Sequence, residues 1–314
     1  MKAVTFSRFG GPEVLGIVDL PEPTAQAGEV VVEVAASIVN PTDLAFLNGV
    51  RAPADLTPPY TAGMDFSGRI VSVGPGVENL APGQHVIGIA APRSHRGGAQ
   101  RERIAVPAAS VAPISDSVDL VAAATVPMNA LTALLSLDHL ALKPGQTLLV
   151  TGITGMLGSL SAQIALLDGL KVIANAKAED HDFIRQLGVE TILPRSEGLE
   201  DAIRAACPDG LDGIIDGALI SQDIAHLVRT GGGIVSPRAV YRVEDPRLNV
   251  SYVQVTSGLN DSAKIARIGK LLSEGKLTPR LAQNGVFPFE KAIEAFAMAT
   301  AGGYRGRVAI TFNP

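Results

Sequence analysis

Gly152, Gly155 and Gly158 stand between an apolar run, Thr147-Leu148-Leu149-Val150, and a helix-compatible run from Ser159 to Leu167. Their segment reads Thr151-Gly152-Ile153-Thr154-Gly155-Met156-Leu157-Gly158. Glycines at such a strand-to-helix turn have separate jobs: a tight turn, close approach of the backbone to a pyrophosphate, and close packing of helix on strand. The helix start adds unpaired N–H groups and the positive end of a dipole. The spacing is G-x-x-G-x-x-G rather than the commoner G-x-G-x-x-G, so a glycine-bearing turn without a ligand is the competing reading. The next apolar run, Lys171–Ala176, leads into Asn175-Ala176-Lys177 and holds no carboxylate before Glu179. An acidic group there would bond the ribose hydroxyls of NAD; a cation instead suits the 2′-phosphate of NADP. A solvated lysine at a strand end is the alternative.

Other chemistry is excluded or left without support. The chain has 1 cysteine, Cys207, which forbids an intramolecular disulfide and a multi-cysteine zinc site and points to a reducing compartment. Its 5 histidines, His85, His95, His139, His181 and His226, fall into no ligand spacing. With 26 Lys and Arg against 31 Asp and Glu, the net charge of −5 excludes a broad basic face for nucleic acid or anionic lipid.

The elements that must hold these residues change character near residue 115. Before it, short β-rich runs (Lys2–Ser7, Val30–Val39, Gly68–Val73, His85–Ala90, Arg101–Val106) alternate with Gly/Pro turns, which suggests a small barrel or sandwich. From about 120 to 260, apolar runs at Thr147–Thr151, Lys171–Ala176, Gly213–Asp216 and Gly233–Ser236 alternate with helical stretches. That alternation predicts a parallel, doubly wound sheet. The end reverts to a helix over Ser262–Glu274, a strand Val286–Phe289, a helix from Glu290 to Ala299 and a strand Arg307–Thr311. These last pieces are too few for a third domain and are expected to complete the first. The start of the chain has no apolar leader pattern. Leu120–Leu137 is uncharged but carries Pro127, Asn129 and several hydroxyl residues, so it reads as one buried helix rather than a membrane span.

Several segments together resemble the zinc-independent medium-chain dehydrogenase/reductases of the quinone oxidoreductase, zeta-crystallin-like branch. They are Lys2-Ala3-Val4 through Gly11-Pro12-Glu13-Val14-Leu15, then Asn40-Pro41-Thr42-Asp43 and Gly63-Met64-Asp65-Phe66-Ser67-Gly68. Val73-Gly74-Pro75-Gly76-Val77, Ala130-Leu131-Thr132-Ala133, Leu142-Lys143-Pro144-Gly145, the glycine turn, Gly275-Lys276-Leu277 and Arg305-Gly306-Arg307 complete the set. The resemblance implies an α/β protein: a GroES-like, β-rich substrate domain over 1–119, completed by 284–314, plus a Rossmann doubly wound parallel-sheet domain over 120–283 that binds NADPH. It also implies a cytoplasmic homodimer that reduces quinones or α,β-unsaturated carbonyls, small molecules, with no nucleic-acid or membrane partner. An enone reductase of specialised, polyketide-like metabolism and a catalytically idle NADPH-binding protein are the alternatives. Zinc-dependent relatives carry a first-domain cysteine and a His-Glu pair after a glycine; here Gly63 is followed by Met64-Asp65, so no metal is expected.

By the same resemblance Asn40, Asp43 and Thr132 surround the nicotinamide, with the Asn40 amide and Thr132 hydroxyl as donors to a carbonyl oxygen gaining charge. Asp43 is equally readable as a helix N-cap, and Tyr60 as a stacking or proton-donating group or a packing residue. Cofactor contacts are expected from Asn40, Thr132, Gly152, Thr154, Gly155, Met156, Leu157, Gly158, Asn175, Lys177 and Ser236, with Arg305 and Arg307 adding positive field or serving structure. Three places depart from the family pattern. Gly49-Val50-Arg51-Ala52 stands where many relatives have a tyrosine, Met156 replaces a small residue in the glycine turn, and Ser236-Pro237-Arg238 is atypical. Arg51 reads as a contact to an acidic or carbonyl substrate or as a solvated residue, and Arg238 as a possible phosphate or substrate contact.

Overall fold

The β-branched runs of the first third become strands in the computed structural model, which describes residues 1–238 and 243–312. The chain divides into two units, residues 1–128 with 258–314 and residues 129–257.

In the first unit β1 (Lys2–Thr5) pairs antiparallel with β2 (Gly16–Asp19). The central strand is β3 (Glu29–Val39), whose valine-rich run is buried along nearly its whole length. It leads through Asn40 into α1 (Pro41–Leu47), with proline at the first helical position, where its missing N–H costs nothing. There follow β4 (Asp65–Val73), β5 (His85–Ile89), β6 (Arg103–Pro107) and β7 (Val111–Pro113). Phe6, Phe46, Phe66, Phe296 and Phe312 are fully buried among the strand valines. Each such ring contributes roughly 1.5–3 kcal/mol by leaving water.

The expected single helix from Leu120 is two: α2 (Leu120–Ala123) and α3 (Pro127–Leu140). Pro127 disfavours helical backbone at the residue before it, so the helix restarts there. By length and composition the 21-residue stretch Leu120–Leu140 could cross a membrane, yet 72% of its apolar window is buried, as in a core helix.

The second unit is a parallel sheet. Its elements are β8 (Thr147–Thr151), α4 (Met156–Leu167), β9 (Lys171–Ala176), α5 (His181–Gln186), β10 (Thr191–Pro194), α6 (Leu199–Ala206), β11 (Leu211–Asp216), α7 (Ser221–Ile224), β12 (Val228–Ser236) and β13 (Asn249–Tyr252). The order is β10-β9-β8-β11-β12-β13. Strand order reverses between β8 and β11, and ligands of such sheets bind outside the strand carboxyl ends at that point. The continuous apolar core of β8 (Leu148, Leu149, Val150, all 0% exposed) fits a strand covered on both faces.

The chain then returns to the first unit. α8 (Ser262–Ser273) is capped by Asp261, whose carboxylate accepts from the Lys264 N–H. It packs against β7, with Gly269 beside Ala112 and the Pro113 carbonyl. The change of pattern along the chain returned this helix to the first unit, whereas the bounds implied by the resemblance kept it within 120–283. β14 (Leu281–Pro288), α9 (Ala292–Ala301) and β15 (Arg307–Thr311) finish the seven-stranded sheet, β15 pairing antiparallel with β3 and parallel with β14. β14 starts earlier than its alternation suggests, because a register shift and left-handed Asn284 interrupt its pattern. The short strands β2, β7 and β10 carry too few apolar residues to stand out in the sequence.

Candidate active site

At the carboxyl edge of the parallel sheet, the turn after β8 shows why glycines occupy it. Gly152 has φ +64°, a left-handed conformation that L side chains resist. A Cβ on Gly158 would lie 2.5 Å from the Gly152 carbonyl oxygen and 2.7 Å from the Ile153 Cα, so α4 packs on the turn only with glycine there. Gly155 differs: it is exposed, and a Cβ would come no nearer than 3.4 Å to its neighbours. Its smallness matters to something approaching from outside, which is the pyrophosphate role. Met156 is buried as the first residue of α4, while Thr154 and Leu157 are half-buried around the helix start.

Asp216, at the end of β11, organises the same edge and was not singled out by its sequence. Fully buried, it accepts from the Thr151 hydroxyl at 2.6 Å and from the N–H groups of Ile220 at 3.1 Å and Ser221 at 2.8 Å. The Thr151 oxygen accepts in turn from the Ala218 N–H at 3.0 Å. This network sets the Gly217-Ala218 backbone against Gly152. Ser236, ending β12, donates to the Asp216 carbonyl at 3.5 Å and the Arg238 carbonyl at 3.1 Å, and accepts from the Arg238 N–H.

At the end of β9, Asn175 is 6% exposed and donates through Nδ2 to the Arg195 carbonyl at 3.2 Å. Its Oδ1 is buried without a hydrogen-bond partner. Lys177 is exposed, 3.8 Å from Glu179. The β9–β10 register pairs Pro194 with Ala176, so Arg195 and Lys177 follow side by side at neighbouring strand ends. Arg195, exposed and outside every ion pair among the described residues, is a second cation that only the register reveals. A phosphate-bearing dinucleotide thus finds a bare turn, a helix start, a free buried acceptor and two cations. These residues fit it.

In the first unit, Asn40 and Asp43 belong to one buried polar network. Asn40 is the N-cap of α1 and Asp43 sits at its third residue, so Asp43 is not itself the N-cap. The Asp43 carboxylate accepts from the Asn40 N–H at 2.8 Å and the Gly63 N–H at 2.9 Å. Burial pushes its carboxyl up to about 6, against the pull of those N–H groups and of Arg93. The Asn40 side-chain Nδ2 donates to Asp65 at 2.7 Å, and the other Asp65 oxygen accepts from the Met128 N–H at 2.5 Å. Burial pushes Asp65 up to about 7, with those two bonds opposing and the charge of Asp43 adding to the rise. Asn40 was expected to give its amide to a substrate oxygen; one of its two hydrogens is committed to Asp65. The hydroxyl of Thr42 faces the sulfurs of Met64 and Met128 at 3.6 and 3.9 Å.

Tyr60 is a packing residue. It stacks on Phe9 with ring centroids 5.3 Å apart, touches Phe6 and Phe46, and donates its hydroxyl to the Leu56 carbonyl at 3.2 Å. Arg307 lies within the field of the buried Asp65 carboxylate, and its own burial lowers its proton affinity. Arg305 is exposed on the turn before β15. Thr132 is buried on α3 in the second unit. Among the described residues no group of three His, Cys, Asp or Glu side chains could hold a metal ion.

Comparison with known proteins agrees with this geometry. The alcohol dehydrogenase GroES-like domain family matches residues 26–116, and the zinc-binding dehydrogenase family matches residues 187–310. The chloroplastic NADPH-dependent alkenal/one oxidoreductase of Arabidopsis thaliana is 26% identical over 318 residues, spanning 99% of this chain and 79% of that protein. The quinone oxidoreductase of Rattus norvegicus is 29% identical over 316 residues, spanning 94% of this chain and 92% of that protein. The crystal structure of an alcohol dehydrogenase superfamily protein from Novosphingobium aromaticivorans superposes with a TM-score of 0.88 at 26% identity, covering 100% of both chains. The glycine turn, the parallel sheet that carries it and these relatives converge: the chain belongs to the medium-chain dehydrogenase/reductase family, in its quinone oxidoreductase branch.

Proposed function

We propose that this protein is an NADPH-dependent, metal-free oxidoreductase that reduces a quinone or an α,β-unsaturated carbonyl, acting as a cytoplasmic homodimer. The observation that carries the reading is the carboxyl edge of the parallel sheet. There Gly155 leaves room for a pyrophosphate in the turn that Gly152 and Gly158 shape, and Lys177 and Arg195 stand at the ends of β9 and β10, with no carboxylate on β9 itself. Asn175 offers its free Oδ1 to a ribose hydroxyl. The bound nicotinamide supplies the hydride; the protein supplies position and polarity. Thr132 is assigned the donor to the carbonyl oxygen as charge develops, and Asn40, oriented by Asp65, lends its remaining amide hydrogen. Asp43 acts on Asn40 rather than on substrate, since both its oxygens accept backbone N–H groups.

Metal independence is supported by the donor set: Met64 and Asp65 stand where zinc-dependent relatives carry a His-Glu pair, and the Met64 sulfur faces a threonine hydroxyl. The homodimer is supported by β13, which ends the parallel sheet among the described residues and so offers an edge for pairing. Sedimentation at the mass of a single chain at micromolar concentration would contradict it. A net charge of −5 and one cysteine suit the cytoplasm.

The test of the function is oxidation of NADPH and NADH against a panel of quinones and enones, with Lys177→Ala beside the native protein. NADPH is expected to be preferred, and the variant to raise its KM about tenfold while sparing NADH, as loss of one charge-assisted phosphate contact predicts. No acceptor-dependent oxidation of either cofactor would refute the reading, and an unmoved NADPH KM would remove Lys177 from it.

A further inference from the structure

One of the three segments in which this chain departs from the family pattern, Gly49-Val50-Arg51-Ala52, is tied to the loop that carries Arg93. The Arg93 Nη2 donates to the Val50 carbonyl at 3.3 Å and to the Thr42 carbonyl at 3.1 Å. Its guanidinium lies 5.0 Å from the centre of the Phe46 ring, and its Nε is buried without a hydrogen-bond partner. Arg93 therefore touches both the residue before Arg51 and a residue of the Asn40–Asp43 turn.

Arg51 itself is exposed and held in the left-handed region at φ +56°. The turn that holds it is closed by the Gly49 N–H on the Phe46 carbonyl at 2.9 Å and the Val50 N–H on the Ala45 carbonyl at 2.8 Å. Burial lowers the proton affinity of Arg93, with the charge of Asp43 opposing and that of Arg51 adding to the fall. Neither arginine forms an ion pair among the described residues. Asp55, on the same loop as Arg51, pairs with His95 instead, at 3.5 Å. The carboxylate whose charge reaches Arg93 is Asp43, and both its oxygens already accept N–H groups. Arg93, bonded to the carbonyl of the residue before Arg51 and carrying a buried donor without a partner, forms with the exposed Arg51 guanidinium a receptor for an anion.

The surroundings say what kind of anion. Val50 is 51% exposed and Phe9 41% exposed, and the Phe9 ring packs against Gly49 while stacking on Tyr60. An apolar shelf beside a guanidinium pair suits an organic acid better than a bare inorganic ion.

We propose that Arg51 and Arg93 bind the carboxylate of the acceptor substrate, so that the physiological acceptor is an enone or quinone bearing an acid group, its apolar body against Phe9 and Val50. This rests on the reductase reading, which it narrows to a substrate class.

The test compares 3-benzoylacrylic acid with its methyl ester as acceptors for the NADPH-loaded protein. We expect the acid to be preferred at least tenfold in kcat/KM, chiefly through KM, as one charge-assisted contact predicts. Arg51→Glu should cut the acid-to-ester ratio tenfold or more, and Arg51→Lys should restore part of it. Equal use of acid and ester, or a ratio unchanged in Arg51→Glu, overturns the proposal. Calorimetric titration with 3-benzoylpropionate, which lacks the reducible bond, separates this from failure of the reductase reading. Binding that Arg51→Glu abolishes upholds the anion site even if no acceptor is reduced, and no binding, or binding that survives Arg51→Glu, sinks it.

Discussion

Replacing Asp216 by asparagine tests how the dinucleotide edge is held together. The carboxylate is fully buried and accepts from Thr151, Ile220 and Ser221 at 2.6, 3.1 and 2.8 Å. Asparagine has nearly the same shape but only one acceptor oxygen. With the oxygen facing Thr151 and Ile220, the amide NH2 meets the Ser221 N–H; turned over, it meets the Ile220 N–H. In either orientation one buried backbone donor loses its acceptor and faces another donor, which costs about 1–3 kcal/mol. Taking about 2 kcal/mol, local opening becomes roughly thirtyfold more frequent. Amide hydrogen exchange at the disrupted N–H, Ser221 or Ile220, should quicken by that factor, with β8 and β9 amides much less affected. Because the same network sets Gly217-Ala218 against Gly152, dinucleotide affinity should fall in the same variant. Exchange at both amides within threefold of the native rate would show that Asp216 does not hold this loop, and the reasoning would fail.

Gly158→Ala should destabilise the second unit by about 1–3 kcal/mol and weaken dinucleotide binding, because its Cβ meets backbone atoms at 2.5–2.8 Å that cannot swing aside; urea unfolding and cofactor titration read both. Gly155→Ala, at an open position, should unfold like the native protein yet still lose cofactor affinity. The buried pair Asp43 and Asp65, raised to about 6 and about 7 from a usual 3.8, keep their protons in the fold where the unfolded chain has lost them. Their contribution to stability is therefore full below about pH 4 and is lost as pH rises through 6 to 7. Urea midpoints of native protein and Asp65→Asn over that range should show the variant losing less with rising pH; parallel curves would count against a raised Asp65. Exhaustive chelation should leave the reductase rate unchanged, and stoichiometric zinc in active protein, lost together with activity, would refute metal independence.

The division between what was legible in the order of residues and what was not follows the range of the interactions. β8, β9 and β15 begin and end where their apolar runs do, because each is an unbroken stretch bounded by turn residues. The glycine turn was legible for the same reason: the left-handed backbone of Gly152 and the packing of Gly158 on Gly152 and Ile153 act within seven residues of chain. β14 was read only in part, since its irregular pairing with β15 breaks the alternation that marks a strand.

The cofactor-edge glycines, the absence of an acidic residue before Glu179 and the lack of a first-domain cysteine were therefore determined by the sequence alone. Which side chains serve them was decided by the tertiary structure. Arg195 joins Lys177 only because parallel register aligns the ends of β9 and β10. Asp65 reaches Asn40 across 25 residues and Met128 across 63, and Asp216 reaches Thr151 across 65. Tyr60, open to several roles by sequence, is taken up by three phenylalanines from distant segments. A carboxylate or a guanidinium looks the same in the chain whether it is solvated or buried. Its partners, and with them its proton affinity and its role, exist only once folding has excluded water and brought remote strands together.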